Sequence, residues 1–243
     1  SRLNFELAKY FFKNQQVASA IQAYKKISID DLENEELALM QFQLGYLYFK
    51  MGDWDESTSY LLSIRQVQTS PFYTDANYYA GFVALQQKDF KLALSCFKIA
   101  EQSNAYRTLT PFYISQLYYF LGDIDAALKN TEKALQNKGQ YYTDQLAQLM
   151  GHLLFEQKQY DKALPYLANF VKSQKQVESQ DLYQLSFCYF QSQQWNEAIQ
   201  GFKQLANVED SLGQNSMYLL ATSYLKTNNK IGAKNAFLLC ATK

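Results

Sequence analysis

The sequence predicts an all-α fold, a helical solenoid of about seven helix–turn–helix repeats, and three observations carry that prediction. Small residues recur at Ala8, Gly45, Gly81, Ser115, Gly151, Ser186 and Ala221, at intervals of 37, 36, 34, 36, 35 and 35. Twelve residues after each stands a second small one: Ala20, Ser57, Ala93, Ala127, Ala163, Ala198 and Ala233. Large apolar residues dominate three places after the first marker (Phe11, Tyr48, Ala84, Tyr118, Leu154, Tyr189, Tyr224) and four after the second (Tyr24, Leu61, Phe97, Thr131, Leu167, Phe202, Phe237). Such self-similarity marks supersecondary units that each bury a face against their neighbours.

The repeats are expected over residues 1–36, 37–73, 74–107, 108–143, 144–178, 179–213 and 214–243. The first reads as helix from Phe5-Glu6-Leu7-Ala8 onward. In the second, Leu44, Gly45 and Tyr48 share one helical face, Gly52-Asp53 breaks it, and Trp54, Ser57, Leu61 and Ile64 carry the next helix. The third, fourth, fifth and sixth are expected to turn at Lys88-Asp89, Gly122-Asp123, Gln159-Tyr160 and Gln193-Gln194. Pro111 opens a helix, and Pro165 is expected near the start of another, where a missing N–H is tolerated. The seventh ends in a helix presenting Ile231, Ala233, Ala236, Phe237 and Cys240 with no following helix to cover them. That predicts either a fragment of a longer protein or self-association through the C-terminal helix. The small markers have a mechanical reading: only Gly, Ala or Ser leaves room for a large side chain where two helices cross closely.

Composition narrows the function. Hydrophobic residues make up 48% of the 243 and aromatics 16%, enough for a continuous core. Lys and Arg total 23, as do Asp and Glu, so nucleic acid and anionic membrane surfaces are not the expected partners. No apolar run reaches the roughly 18 residues of a membrane span. Cys96, Cys188 and Cys240 fall on apolar helical positions and read as buried thiols, which leaves the redox compartment open. The nine glycines are scattered, so no phosphate loop is present. His152 and Glu156 stand one helical turn apart and could supply two metal ligands, but no third is evident and no nucleophile stands at a motif spacing. No metal, cofactor or catalytic residue is expected.

These markers resemble the tetratricopeptide repeat family, whose pattern appears in Gly81, Phe90, Ala93, Phe97 and Ala100 and again in Tyr189, Trp195, Ala198, Phe202 and Leu205. The resemblance covers essentially the whole chain. It departs where the family's early tryptophan is replaced by Gln41, Asn77 or Pro111, and where Lys230 stands for an aromatic. The run from Pro111 to Tyr119 also resembles the N-terminal arrays of large bacterial cell-envelope members. The resemblance implies a right-handed superhelix and a periplasmic or envelope location, with the cytoplasm as the alternative.

It also implies a concave face, lined by residues three before, one after and four after each first marker. Those places give a groove of aromatic rings and amides: Phe42, Tyr46, Phe49, Tyr78, Phe82, Phe112, Gln116, Tyr119, His152, Phe155, Tyr183 and Phe187. Tyrosine is common there in the family for packing alone, so the middle column (Tyr46, Phe82, Gln116, His152, Phe187) is the more informative. The expected function is a non-enzymatic scaffold that binds a protein or peptide segment in an uncharged aromatic groove, toward assembly of a larger complex. The alternatives are a glycan-binding envelope module and assembly through the solenoid ends.

Overall fold

The computed structural model describes residues 2–242; Ser1 and Lys243, which bound the first and last expected repeats, lie outside the described residues. Among the described residues there are fourteen α-helices, one 3₁₀ turn at Ile29–Asp31 and no strand. In order they are α1 (Arg2–Lys13), α2 (Val17–Lys25), α3 (Asn34–Met51), α4 (Trp54–Arg65), α5 (Tyr73–Gln86), α6 (Phe90–Ala100) and α7 (Thr110–Phe120). Then come α8 (Ile124–Gln136), α9 (Thr143–Glu156), α10 (Tyr160–Ser173), α11 (Ser179–Gln191), α12 (Trp195–Gln204), α13 (Ser211–Lys226) and α14 (Lys230–Ala241). The chain divides into two compact units, Ser1–Asp123 and Ile124–Lys243. In the first, α1 pairs with α2, α3 with α4 and α5 with α6; in the second, α9 pairs with α10, α11 with α12 and α13 with α14. Among the described residues no helix is long and apolar enough to cross a membrane.

The turns obey one rule. Seven residues after each first marker the backbone enters the left-handed region, at Gln15 (φ 58°), Gly52 (75°), Lys88 (59°), Gly122 (79°), Lys158 (57°), Gln193 (58°) and Asn228 (59°). The next residue can then cap the following helix. Asp89 accepts from the Leu92 N–H at 3.0 Å and Asn229 from the Gly232 N–H at 2.8 Å. The fifth turn therefore lies at Lys158-Gln159, one residue before the expected Gln159-Tyr160. A left-handed lysine is strained by its Cβ, so Lys158→Gly should stabilise the second compact unit by about 1 kcal/mol, read from urea unfolding.

Pro165 lies inside α10, beyond the first turn. Its missing N–H is thus not among the unpaired groups of the helix start, and the helix gives up an internal hydrogen bond there.

All fourteen small markers are buried, and the glycines show why. A Cβ on Gly45 would lie 2.7 Å from Leu61 Cδ2, one on Gly81 2.7 Å from Phe97 Cε1, and one on Gly151 2.6 Å from Leu167 Cδ2. In each case the obstruction stands sixteen residues on, at the large position of the paired helix. In the sixth repeat Ser186 takes the marker and the partner helix yields instead, since a methyl on Gly201 would run into the Ser186 hydroxyl. Ser57 adds a polar tie, donating to the Gly45 carbonyl at 2.8 Å.

The core is a series of joints between one repeat's second helix and the next repeat's first. In the first compact unit, Tyr24 and Ile27 cluster with Met40, Leu44 and Leu47; Leu61 and Ile64 with Ala76, Ala80 and Val83; and Phe97 with Ile114 and Leu117. In the second, Leu167 joins Leu185 and Cys188, and Phe202 and Leu205 join Met217 and Leu220. Cys96 and Cys188 are fully buried, and burial pushes their thiols up to about 11 and about 12. Cys240 is only half-buried. The last helix departs from expectation in part. Ala233 and Ala236 are buried, whereas Ile231, Phe237, Leu238 and Leu239 are exposed.

Candidate functional site

First helices of successive repeats touch directly in both compact units: α3 with α5 in the first, α9 with α11 and α11 with α13 in the second. Side chains one turn apart on these helices therefore form rows that pass from repeat to repeat. All twelve groove residues read from the sequence lie on first helices and are half-buried.

In the first compact unit the rings form one unbroken row. Phe12 of α1 sits 5.9 Å from Tyr46 of α3, and Tyr46 stacks over Phe42 at 6.4 Å. Tyr79 of α5 meets Tyr46 edge-on at 4.9 Å and lies 5.4 Å from Tyr78. Tyr78 meets Phe82 at 5.1 Å, Phe82 meets Tyr113 of α7 at 4.9 Å, and Tyr113 meets Phe112 at 5.3 Å. These separations fall in the range where aromatic pairs attract beyond simple burial. Two rings from the connections complete it: Phe72 stacks on Phe42 at 5.0 Å and Tyr106 on Tyr78 at 4.0 Å. The Tyr106 hydroxyl donates to Asp75, and Lys50 Nζ lies 5.9 Å above the Tyr46 ring. Burial, and then neighbouring hydroxyls and Asp75, raises the Tyr79 hydroxyl above its ordinary value. It stays protonated at neutral pH and is available as a donor.

The columns divide their labour. Rings four places after the marker pack on the residue that opens the paired helix: Phe49 edge-on to Trp54 at 5.9 Å, and in the second compact unit Phe155 to Tyr160 at 5.4 Å. Tyr119 lies beside Phe120, 6.0 Å away. Phe82 also presses on the buried Phe97 at 5.0 Å, so it supports the core as well as the row. Gln116 is half-buried on α7. Tyr79, Tyr113, Phe72 and Tyr106 were not legible as row members. The first two stand two places before their markers, a column that elsewhere holds Glu6, Gln43, Leu149, Gln184 and Leu219.

The second compact unit has a shorter row and a polar island. Phe187 of α11 touches Phe155 (5.5 Å), Tyr160 (5.2 Å) and Tyr183 (6.0 Å). Asn215 Nδ2 donates to the Tyr183 hydroxyl at 2.6 Å. Beside these rings, on α9, Gln148 Nε2 lies 2.9 Å from both carboxylate oxygens of Asp181, and His152 Nε2 lies 2.6 Å from its Oδ1. A carboxylate can only accept, so His152 carries its proton on Nε2. The Asp181 side chain is 3% exposed and that of His152 27%. Burial alone would raise the Asp181 pKa, but the hydrogen bonds from His152 and Gln148 and the field of His152 outweigh it and hold the carboxyl below the ordinary range.

One expectation is corrected: the groove read as uncharged has a buried carboxylate beside it, because Asp181 lies against Gln148 and His152, three before and one after the marker Gly151. A signal was present: Asp181 is the one charged residue in a column otherwise filled by Leu3, Met40, Ala76, Thr110, Leu146 and Ser216. Among the described residues no three of His, Cys, Asp and Glu converge on a metal-sized site.

Two stretches match family models described as tetratricopeptide repeat, residues 42–107 and residues 182–208. No curated protein matches the chain in sequence. Among solved structures, the C-terminal part of a tetratricopeptide repeat-containing protein from Cytophaga hutchinsonii is similar at 14% identity and a TM-score of 0.67, over 98% of this chain and 94% of that one. YrrB, described as a tetratricopeptide repeat protein with an unusual peptide-binding site, is similar at 17% identity and a TM-score of 0.60, over 74% and 89%. MamA of AMB-1 is similar at 16% identity and a TM-score of 0.59, over 70% and 90%. These are likenesses of fold.

Proposed function

Because this chain belongs to the tetratricopeptide repeat family, we propose that it is a non-enzymatic protein-interaction scaffold that holds an extended segment of a partner protein along the ring row of residues 12–113. The observation that carries the reading is the row itself: half-buried aromatic rings in mutual contact across four repeats. Rigid rings lose little entropy on binding and contribute large contact areas, while hydroxyls serve the carbonyls of an extended backbone. The peptide-binding site ascribed to YrrB supports the same reading. The texture of Pro111 to Tyr119 favours a bacterial envelope location, which cell fractionation would test.

The test begins with peptides selected by the chain from a random display library. Tyr46→Ala should weaken their binding about tenfold or more, the scale of an interface hot spot. Tyr141→Ala, at an exposed position of the connection between α8 and α9, should leave it unchanged. Selected peptides that bind the Tyr46→Ala protein as well as the parent, at equal helicity, would move the binding surface elsewhere.

A further inference from the structure

The ring row of the first compact unit closes around one carboxylate. Asp75 stands in the first turn of α5, three residues after Phe72 and three before Tyr78. From it the contacts run in a circuit. The Tyr106 hydroxyl donates to Asp75, Tyr106 stacks on Tyr78 at 4.0 Å, and Tyr78 meets Tyr79 at 5.4 Å. Tyr79 lies 6.2 Å from Phe42, and Phe42 stacks on Phe72 at 5.0 Å. Phe72 and Tyr106 both stand nine places before the next marker, so two successive connections fold a ring back onto the same column. Burial raises the Tyr79 and Tyr106 hydroxyls above their ordinary values, and the nearby charge of Asp75 adds to it.

Asp75 is half-buried, and among the described residues no lysine, arginine or histidine pairs with it. A carboxylate offers about four lone-pair sites, and the Tyr106 hydroxyl takes one. The helix start accounts for a negative charge in the first turn of α5. It does not account for the position, since the places equivalent to Asp75, six before each marker, hold Arg2, Leu39, Leu109, Gln145, Gln180 and Asn215. Ring faces and a carboxylate attract the same kind of group, a cation. The row already shows the first of these attractions, with Lys50 Nζ 5.9 Å from the centre of the Tyr46 ring. A neutral sugar would supply hydroxyls but leave the charge uncompensated.

We propose that Asp75 and the rings around it receive a lysine or arginine side chain of the partner, so that the bound segment is a basic peptide. This rests on the reading of the ring row as a groove for an extended segment. The charged head pairs with Asp75 while the methylene stem lies along the rings. One basic residue met at one point of the row also fixes the register of the segment.

Peptides selected by the wild-type protein from a random display library test this. Lysine or arginine should be enriched at one position, and binding should weaken as salt is raised; neither readout needs a variant. For one such peptide, Asp75→Asn in the protein and norleucine for the basic residue in the peptide should each weaken binding about fivefold or more. The two changes together should cost no more than either alone. Asparagine keeps the shape and an oxygen that can accept from Tyr106, so helicity and melting temperature should match the parent. Asp75→Lys should turn the selection toward acidic residues at that position. Selected peptides that depend on Tyr46 but show no basic position, or losses that simply add, overturn the proposal and leave the ring-row reading standing. Peptides indifferent to Tyr46→Ala remove the ring-row reading itself, and the proposal with it.

Discussion

His152→Leu is expected to destabilise the second compact unit by about 2–3 kcal/mol at neutral pH, and the loss should fade as the solution is acidified. The Asp181 carboxylate is almost wholly removed from water and relies on two donors, His152 Nε2 at 2.6 Å and the Gln148 amide at 2.9 Å. Leucine keeps roughly the volume of the ring but supplies no proton, so the charge is left with Gln148 alone. The cost stays below that of a fully buried pair because the His152 side chain is partly hydrated.

The pH dependence follows from the direction of the Asp181 shift. In the wild type its folded pKa lies below the ordinary value, about 3.9 for an unfolded Asp. Its ionised form therefore contributes stability above that value, and the contribution is lost as pH falls through the lower folded one. In His152→Leu, burial dominates and the folded pKa moves up, so the ionised carboxylate becomes a burden at neutral pH. Protonation relieves it. Urea unfolding of both proteins at neutral and acid pH should show a gap that closes once Asp181 is protonated in each. A gap independent of pH would mean that lost packing, rather than the buried charge, sets the effect.

Gly81→Leu is expected to cost about 3 kcal/mol, the upper end for overpacking, and to lower the melting temperature by about 5–10 °C. The first added carbon alone would sit 2.7, 2.8 and 2.9 Å from three ring atoms of Phe97. That ring has nowhere to go, with Phe82 edge-on at 5.0 Å and Tyr113 stacked at 5.3 Å. The helices α5 and α6 must part, and the ring row beside them is disturbed. Phe97→Leu in the same chain should restore part of the loss, since a branched aliphatic partner already sits opposite glycine at Gly45 and Gly151. Because repeats contact only near neighbours, amide exchange in α11–α14 should not change. A melt indistinguishable from wild type would remove the mechanical role given to the small markers.

Much of the fold was legible because helical hairpins are written in short-range spacing. A small residue, another twelve on and a large one four beyond that depend on 3.6-residue periodicity, and the fourteen helices follow from it. The turn at Lys158 was misplaced by one residue because lysine does not advertise a left-handed backbone as Gly52 and Gly122 do. The candidate site was less legible. The columns located Tyr46, Tyr78 and Phe112, and they also gave Phe49 and Phe155, rings that pack on the start of the paired helix as well as on Tyr79 and Phe187. They passed over Tyr79 and Tyr113, whose importance comes from the ring above rather than from their own column.

The sequence by itself determined the period, the helix pairs and the places where only a small side chain fits, since these are properties of one helix and its immediate partner. Tertiary structure decided which groups meet across repeats: the Gln148–Asp181–His152 island and the continuity of the rings from Phe12 to Phe112. The physical reason is that a column records which way a side chain points from its own helix. What it touches depends on the rotation and offset of the next helix, which is set by all the side chains packed between them.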